Sequence, residues 1–199
     1  MRTQAIHEKA EGKRIAYHSR GEAQLSTNPN DIVIGISPAF GLKIFQTTAG
    51  HTLSELLAVM MSAITKAGKT PRIVRFHHTA DTSFLGLSAA RLAGSGIGIG
   101  MQAKGTAVIH QRDRLPHNNL ELFSNSPITT LAHYRGMAAN AASYAKGEMP
   151  EPIIVPTRGE ALGARYHAQV ALIYAIETAL TREGASPEET SVTFTGAKS

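Results

Sequence analysis

The chain has 199 residues, 42% apolar and 18% charged, with a formal net charge of +5 and no cysteine. That length supports one domain with a sizeable core, and that composition is globular, not disordered. The lack of cysteine excludes disulfides and thiolate metal sites and suits a reducing compartment; no apolar run approaches the roughly 20 residues that span a bilayer, so the cytoplasm is the expected location.

Residues 1–30 are polar, lack the apolar core of a secretory signal and show no clean periodicity. They end in the turn cluster Ser26-Thr27-Asn28-Pro29-Asn30 and are predicted to be a tail or edge segment. Residues 31–199 are predicted to form a single α/β domain. It opens on Ile32-Val33-Ile34-Gly35-Ile36, a short β-branched run that reads as a buried strand. Thr52-Leu53-Ser54-Glu55 is a capping box, in which hydroxyl and carboxylate each satisfy an orphan backbone donor. Leu53, Leu56, Leu57, Met60 and Ile64 follow at helical spacing, and Gly68 stands where a helix-ending glycine is expected.

Pro71 precedes a second predicted strand over 72–77. Thr79 or Asp81 can cap a second helix carrying Phe84, Leu87, Arg91 and Leu92. Two short strands are expected at 96–102 and 106–111, around a turn at Lys104-Gly105, with a polar loop over 111–127. Ser126-Pro127 is read as opening a third helix, whose apolar stripe is Leu131, Tyr134, Met137, Ala138, Ala141 and Ala145. Pro150, Pro152 and Pro156 mark an extended connector. A long final helix is predicted over about 159–182, and its centre, 168–176, is apolar nearly all round and so expected to be buried. Strands alternating with helices, plus the close strand pair around Lys104, predict a three-layer α/β/α domain with a mixed, mostly parallel sheet.

Residues 60–115 hold eight Lys/Arg against Asp81 and Asp113, a larger surplus than that of the whole chain. Such an excess can attract phosphate, nucleic acid or an acidic surface, or can be a solvated face. No aromatic interleaving or RNA-binding signature accompanies it. Glycines on every second position from 94 to 100 are not a dinucleotide fingerprint, because the G-x-G-x-x-G spacing fails and a strand follows. Alternate glycines bare one face of a strand, for tight internal packing or for approach of a ligand or partner. The nine histidines include no H-E-x-x-H or similar metal spacing, and there is no G-x-S-x-G elbow. No strong catalytic motif is present. Asp81, after a strand, and Lys104, in a glycine-flanked turn where an ammonium could reach a phosphate, are the two charges singled out.

Three stretches together resemble the medium subunit of diol and glycerol dehydratases. They are residues 34–41 (IGISPAFG), 92–111 (LAGSGIGIGMQAKGTAVIHQ) and 118–123 (NNLELF), extended by Tyr134-Arg135 and residues 139–148 (ANAASYAKGE). The resemblance spans roughly 31–180. It implies a lyase, propanediol or glycerol dehydratase, built from large, medium and small subunits, two of each. It also implies a TIM-barrel large subunit that holds the substrate, and adenosylcobalamin shared between that barrel and this chain. A vicinal diol would become an aldehyde plus water by a radical mechanism, with no catalytic residue here and the isolated chain inactive. Asp81 matches the family's cofactor-contacting aspartate and Lys104 its lysine near the nucleotide-loop phosphate; Gln102 and Thr106 flank that lysine. Ser124 replaces a proline common after the Leu-Phe pair, and residues 76–80 (FHHTA) depart from the family's usual Cys/Lys/Ser-rich stretch. Asp81-Thr82-Ser83-Phe84-Leu85-Gly86 has Ser83 where a D-x-H-x-x-G motif has its cobalt-binding His, which agrees with a cofactor that keeps its own base on cobalt. The N-terminus gives no support for microcompartment packaging. The dehydratase reactivase is a further expected partner; nucleic acid and membrane are not. The alternative is a component like the small subunit of that reactivase, a shorter chain of the same fold that lacks the region matched beyond Lys104.

Overall fold

The computed structural model describes residues 6–7, 13–124, 126–155 and 164–196. In chain order the elements are β1 (Ile6–His7), β2 (Lys13–Glu22), β3 (Asp31–Ile36), α1 (Leu53–Lys66), β4 (Thr70–Arg75), α2 (Thr82–Leu92) and β5 (Ile97–Met101). They continue with β6 (Ala107–Gln111), β7 (Glu121–Phe123), α3 (Leu131–Tyr144), α4 (Ala164–Leu180) and β8 (Glu188–Gly196). The strands form one sheet in the order β1-β2-β8-β4-β3-β5-β6-β7.

The α/β class and the mixed sheet are as predicted, but the sheet is not mostly parallel. Only β3 with β4 and β3 with β5 run parallel; the other pairings are antiparallel. A parallel neighbour needs a crossover, and only α1 and α2 supply one between adjacent or next-but-one strands. β6 and β7 follow through a turn and a loop, and β2 and β8 extend the other side antiparallel. β2 falls in the segment without clean periodicity because Ile15, Ala16 and Tyr17 are all buried, so both faces of the strand are covered.

Side chains alternate between two cores, as a period of two requires. Ile32, Ile34, Ile36, Ile97, Ile99, Met101, Ala107 and Ile109 face α1 and α3. Val33 and Val74 face α2 with Phe76, Leu85 and Ala89. The glycines at 98 and 100 point to this second side: a Cβ on Gly98 would strike the backbone of Ala89 and Ala90, and one on Gly100 that of Thr82 and Gly86. Their function is therefore internal packing, with α2 lying close on β5.

The capping box at Thr52 and Glu55 forms, and Gly68 follows the helix with φ +79°. α3 starts later than predicted. Ser126–Ile128 is only a 3-10 turn, and Thr130 caps α3, with His133 returning the second bond of the box. α4 also departs from expectation. Its apolar centre is largely solvent-exposed, with Leu172 64% and Tyr174 41% accessible, and among its described side chains only Glu177 is buried. Ile173, Ile176 and Leu180 pack partly against the core. Apolar character all round fixes the helix's composition and not what covers it. The predicted start of this helix near 159, and Pro156, lie outside the described residues. Among the described residues no helix is long and apolar enough to cross a membrane.

Candidate functional site

β3, β4 and β5 run parallel and open at their carboxyl ends into residues 37–41, 76–81 and 102–106. From β3 the chain passes through α1 to β4 on one side. It then crosses through α2 to β5 on the other. In open α/β sheets such a reversal leaves a crevice at the carboxyl ends, where ligands bind.

Residues 102–106 make a tight turn there. Gly105 N donates to Gln102 O at 2.9 Å and Gln102 N to Thr106 O at 3.0 Å. Gly105 takes φ +105°, a conformation open to glycine. The turn's backbone is held from outside as well. Lys104 O accepts from Thr48 N and Oγ1, at 3.0 and 3.1 Å, and Gly105 O accepts from the buried Tyr134 hydroxyl at 2.6 Å. Burial pushes the Tyr134 phenol far above its ordinary range, so it remains a donor.

The turn's side chains are enclosed: Gln102, Lys104 and Thr106 are 4%, 9% and 6% exposed. Gln102 Nε2 donates to Ala80 O, next to Asp81. Gln102 Oε1 and Thr106 Oγ1 are buried without a hydrogen-bond partner. The Lys104 ammonium lies 5.3 Å from the centre of the Tyr174 ring, and it enters none of the ion pairs found among the described residues. Asp81 is exposed and caps α2, its Oδ1 accepting from Ser83 N at 2.8 Å and Phe84 N at 3.1 Å. Ser124 is exposed and follows Phe123, which pairs with Ala107, so it stands opposite Thr106 in register. All five candidate residues thus gather at one end of the sheet. Gln102, Lys104 and Thr106 are buried there, and Asp81 and Ser124 are exposed.

Against the turn lies a buried network that the sequence reading missed. Glu177 of α4 accepts from the Ser37 hydroxyl through Oε1 and from Ala39 N through Oε2 at 2.7 Å. Ala103 N donates to Ser37 Oγ at 3.1 Å. Burial pushes the Glu177 carboxyl up, against the pull of those hydrogen bonds and of Arg75. Arg75 Nη1 donates to the carbonyls of Ser37, Pro38 and Phe40 at 3.1, 3.2 and 2.7 Å, closing residues 37–41 into a loop. Burial lowers the Arg75 pKa. Two signals were available. Glu177 is the lone acid in an apolar helix, and Arg75 interrupts the run Ile73, Val74, Phe76. Ser37 and Glu177 form no nucleophile–base pair open to a substrate, since they are 0% and 2% exposed.

His77, one of the sequence departures, also has a place in the fold. Its Nε2 lies 3.0 Å from Glu188 Oε2, which ties the end of β4 to β8. That contact, chiefly its hydrogen bond, holds the Glu188 carboxyl below the usual range.

Comparison with known proteins bears on this same region. The family model described as dehydratase medium subunit matches residues 37–151, from the Arg75-closed loop through the Lys104 turn to the end of α3 and beyond. Among solved structures, the chain is similar to a glycerol dehydratase reactivase at 16% identity, covering 64% of this chain and 96% of that one, with a TM-score of 0.48. It is also similar to a diol dehydratase-reactivating factor complexed with ADP and Mg2+, at 18% identity, 65% and 98% coverage and a TM-score of 0.45.

Proposed function

Because the chain belongs to the dehydratase medium-subunit family, we propose that it is the medium subunit of an adenosylcobalamin-dependent diol or glycerol dehydratase. In this reading it helps a TIM-barrel large subunit hold the cofactor base-on, in a complex that also contains a small subunit. The observation that carries the cofactor part is the buried Lys104 turn. Its ammonium enters none of the ion pairs found among the described residues, and two buried polar oxygens of the same turn, Gln102 Oε1 and Thr106 Oγ1, have no hydrogen-bond partner. Buried polar groups are ordinarily satisfied, and a ligand bearing an anion and amides would satisfy these.

The donor set fits the cofactor. Lys104 would face the phosphate of the nucleotide loop, where a charge-assisted bond is available. Gln102 and Thr106 offer polar atoms to its amide side chains, and Asp81 and Ser124 are exposed at the same end of the sheet. Ser83, where other cobalamin proteins carry a cobalt-binding His, supports the base-on state. When bound, the cofactor supplies the radical that turns a vicinal diol into an aldehyde plus water. This chain's residues bind it, orient it and keep water from it. No feature of the site favours the reactivase reading.

The test is the cofactor dependence of the assembled enzyme. Lys104→Ala is expected to raise the apparent KM for adenosylcobalamin by about tenfold, the scale of one charge-assisted hydrogen bond. An unchanged KM would remove Lys104 from the site.

A further inference from the structure

We infer that α4 positions the Lys104 ammonium, with Tyr174 as the residue that holds it and Glu177 as the residue that fixes the helix. The inference rests on the cofactor reading of the Lys104 turn and adds a residue to it. Tyr174 lies outside every stretch that carries the sequence resemblance and outside the matched residues 37–151.

α4 grips the turn at two points one helical turn apart, which places both side chains on one face. At the first, the Tyr174 ring stands over the Lys104 ammonium at 5.3 Å, and its hydroxyl lies 3.4 Å from Gln102 Nε2. At the second, the Glu177 carboxylate reaches Ser37 and Ala39, and Ala103 N, between Gln102 and Lys104, lies 3.4 Å from its Oε1. One helix therefore fixes both the backbone of the turn and its cationic side chain. Elsewhere on α4, Ile173, Ile176 and Leu180 pack partly against the core. Leu172 is 64% exposed and Ala168, Ala171 and Ala175 are exposed too.

The kind of contact matters. A lysine side chain has four rotatable carbons and loses much freedom when an anion pins it. A carboxylate could hold it in advance, but would neutralise the charge that the anion needs. An aromatic face holds the cation through its quadrupole and leaves the charge and the ammonium N–H groups available. Tyr174 thus orders Lys104 before binding without an opposing charge.

The test uses the whole chain, and then the whole complex. Under limiting amine-reactive reagent, Lys104 of the unaltered chain is expected to react about tenfold more slowly than exposed Lys66 and Lys146. Tyr174→Leu should speed Lys104 about fivefold, whereas Tyr174→Phe, which keeps the ring, should hold the slow rate. In the assembled dehydratase, Tyr174→Leu should raise the adenosylcobalamin KM and Tyr174→Phe should recover most of the loss. The inference is overturned if Lys104 reacts as fast as Lys66, or if Leu and Phe behave alike. A clear labelling difference with no change in KM would leave Tyr174 holding Lys104 and overturn the cofactor reading on which the inference rests.

Discussion

At Gly98 the missing side chain is what lets α2 lie on β5, since a Cβ there would strike backbone atoms of Ala89 and Ala90. Backbone cannot rotate aside, so Gly98→Ala is expected to cost about 1–3 kcal/mol by overpacking. A lower urea midpoint at unchanged m would show it; an unchanged midpoint would contradict the close seat of α2. Glu177 sets a pH dependence. Burial holds its folded-state pKa above the unfolded one, so the folded chain binds that proton more tightly. Its contribution is then fully present below the unfolded pKa and lost as pH rises through the folded one. Glu177→Gln cannot titrate and also replaces one of the two oxygens that accept from Ser37 and Ala39 with an amide donor. The variant should be less stable than the natural chain, by a margin that narrows as pH rises above the ordinary carboxylate range. Denaturant titrations at several pH values read that margin, and a constant margin would refute the assignment. Lys104 and Asp81 were legible because a turn and a cap are local patterns, backed by the resemblance. Glu177 was not, because Ser37, its partner, lies 140 residues away.

β8 is the element on which the sheet's outer half depends. It pairs with β2 on one side and β4 on the other. Arg72 reaches Glu189 at 2.7 Å and His77 reaches Glu188 at 3.0 Å across the second of these contacts. Removing residues 188–199 would leave β2 with only the short β1 and bare the edge of β4. A bare edge is a template for aggregation. The truncated chain is expected to lose several kcal/mol, a large part of the about 5–15 kcal/mol a domain possesses, and to precipitate. A soluble product with a native-like thermal transition would contradict this. The elements from β3 to β6 could be read from sequence because each carries its own signal: a β-branched run, a capping box, a strand pair about a turn. β2 and β8 pair with each other from opposite ends of the chain, and no local pattern records that. The hydrophobicity of α4 was visible, but hydrophobicity does not say whether the rest of the chain covers a helix.

Over the whole molecule, several cations of the basic surplus in 60–115 are engaged within the fold. Arg75 is interior and bound to carbonyls. Arg72 is paired with Glu189 and Asp31, and Lys69 reaches the carbonyls of Pro29 and Ala145. Lys104, at the sheet end where the parallel strands finish, enters none of the ion pairs found among the described residues. In the proposed function this end of the sheet is where the chain would hold its share of the cofactor. The most direct test is dehydratase activity on a vicinal diol with adenosylcobalamin present, measured for this chain alone, for the large and small subunits alone, and for all three together. The account predicts aldehyde formation only in the complete mixture; turnover by this chain alone, or undiminished turnover without it, would contradict it.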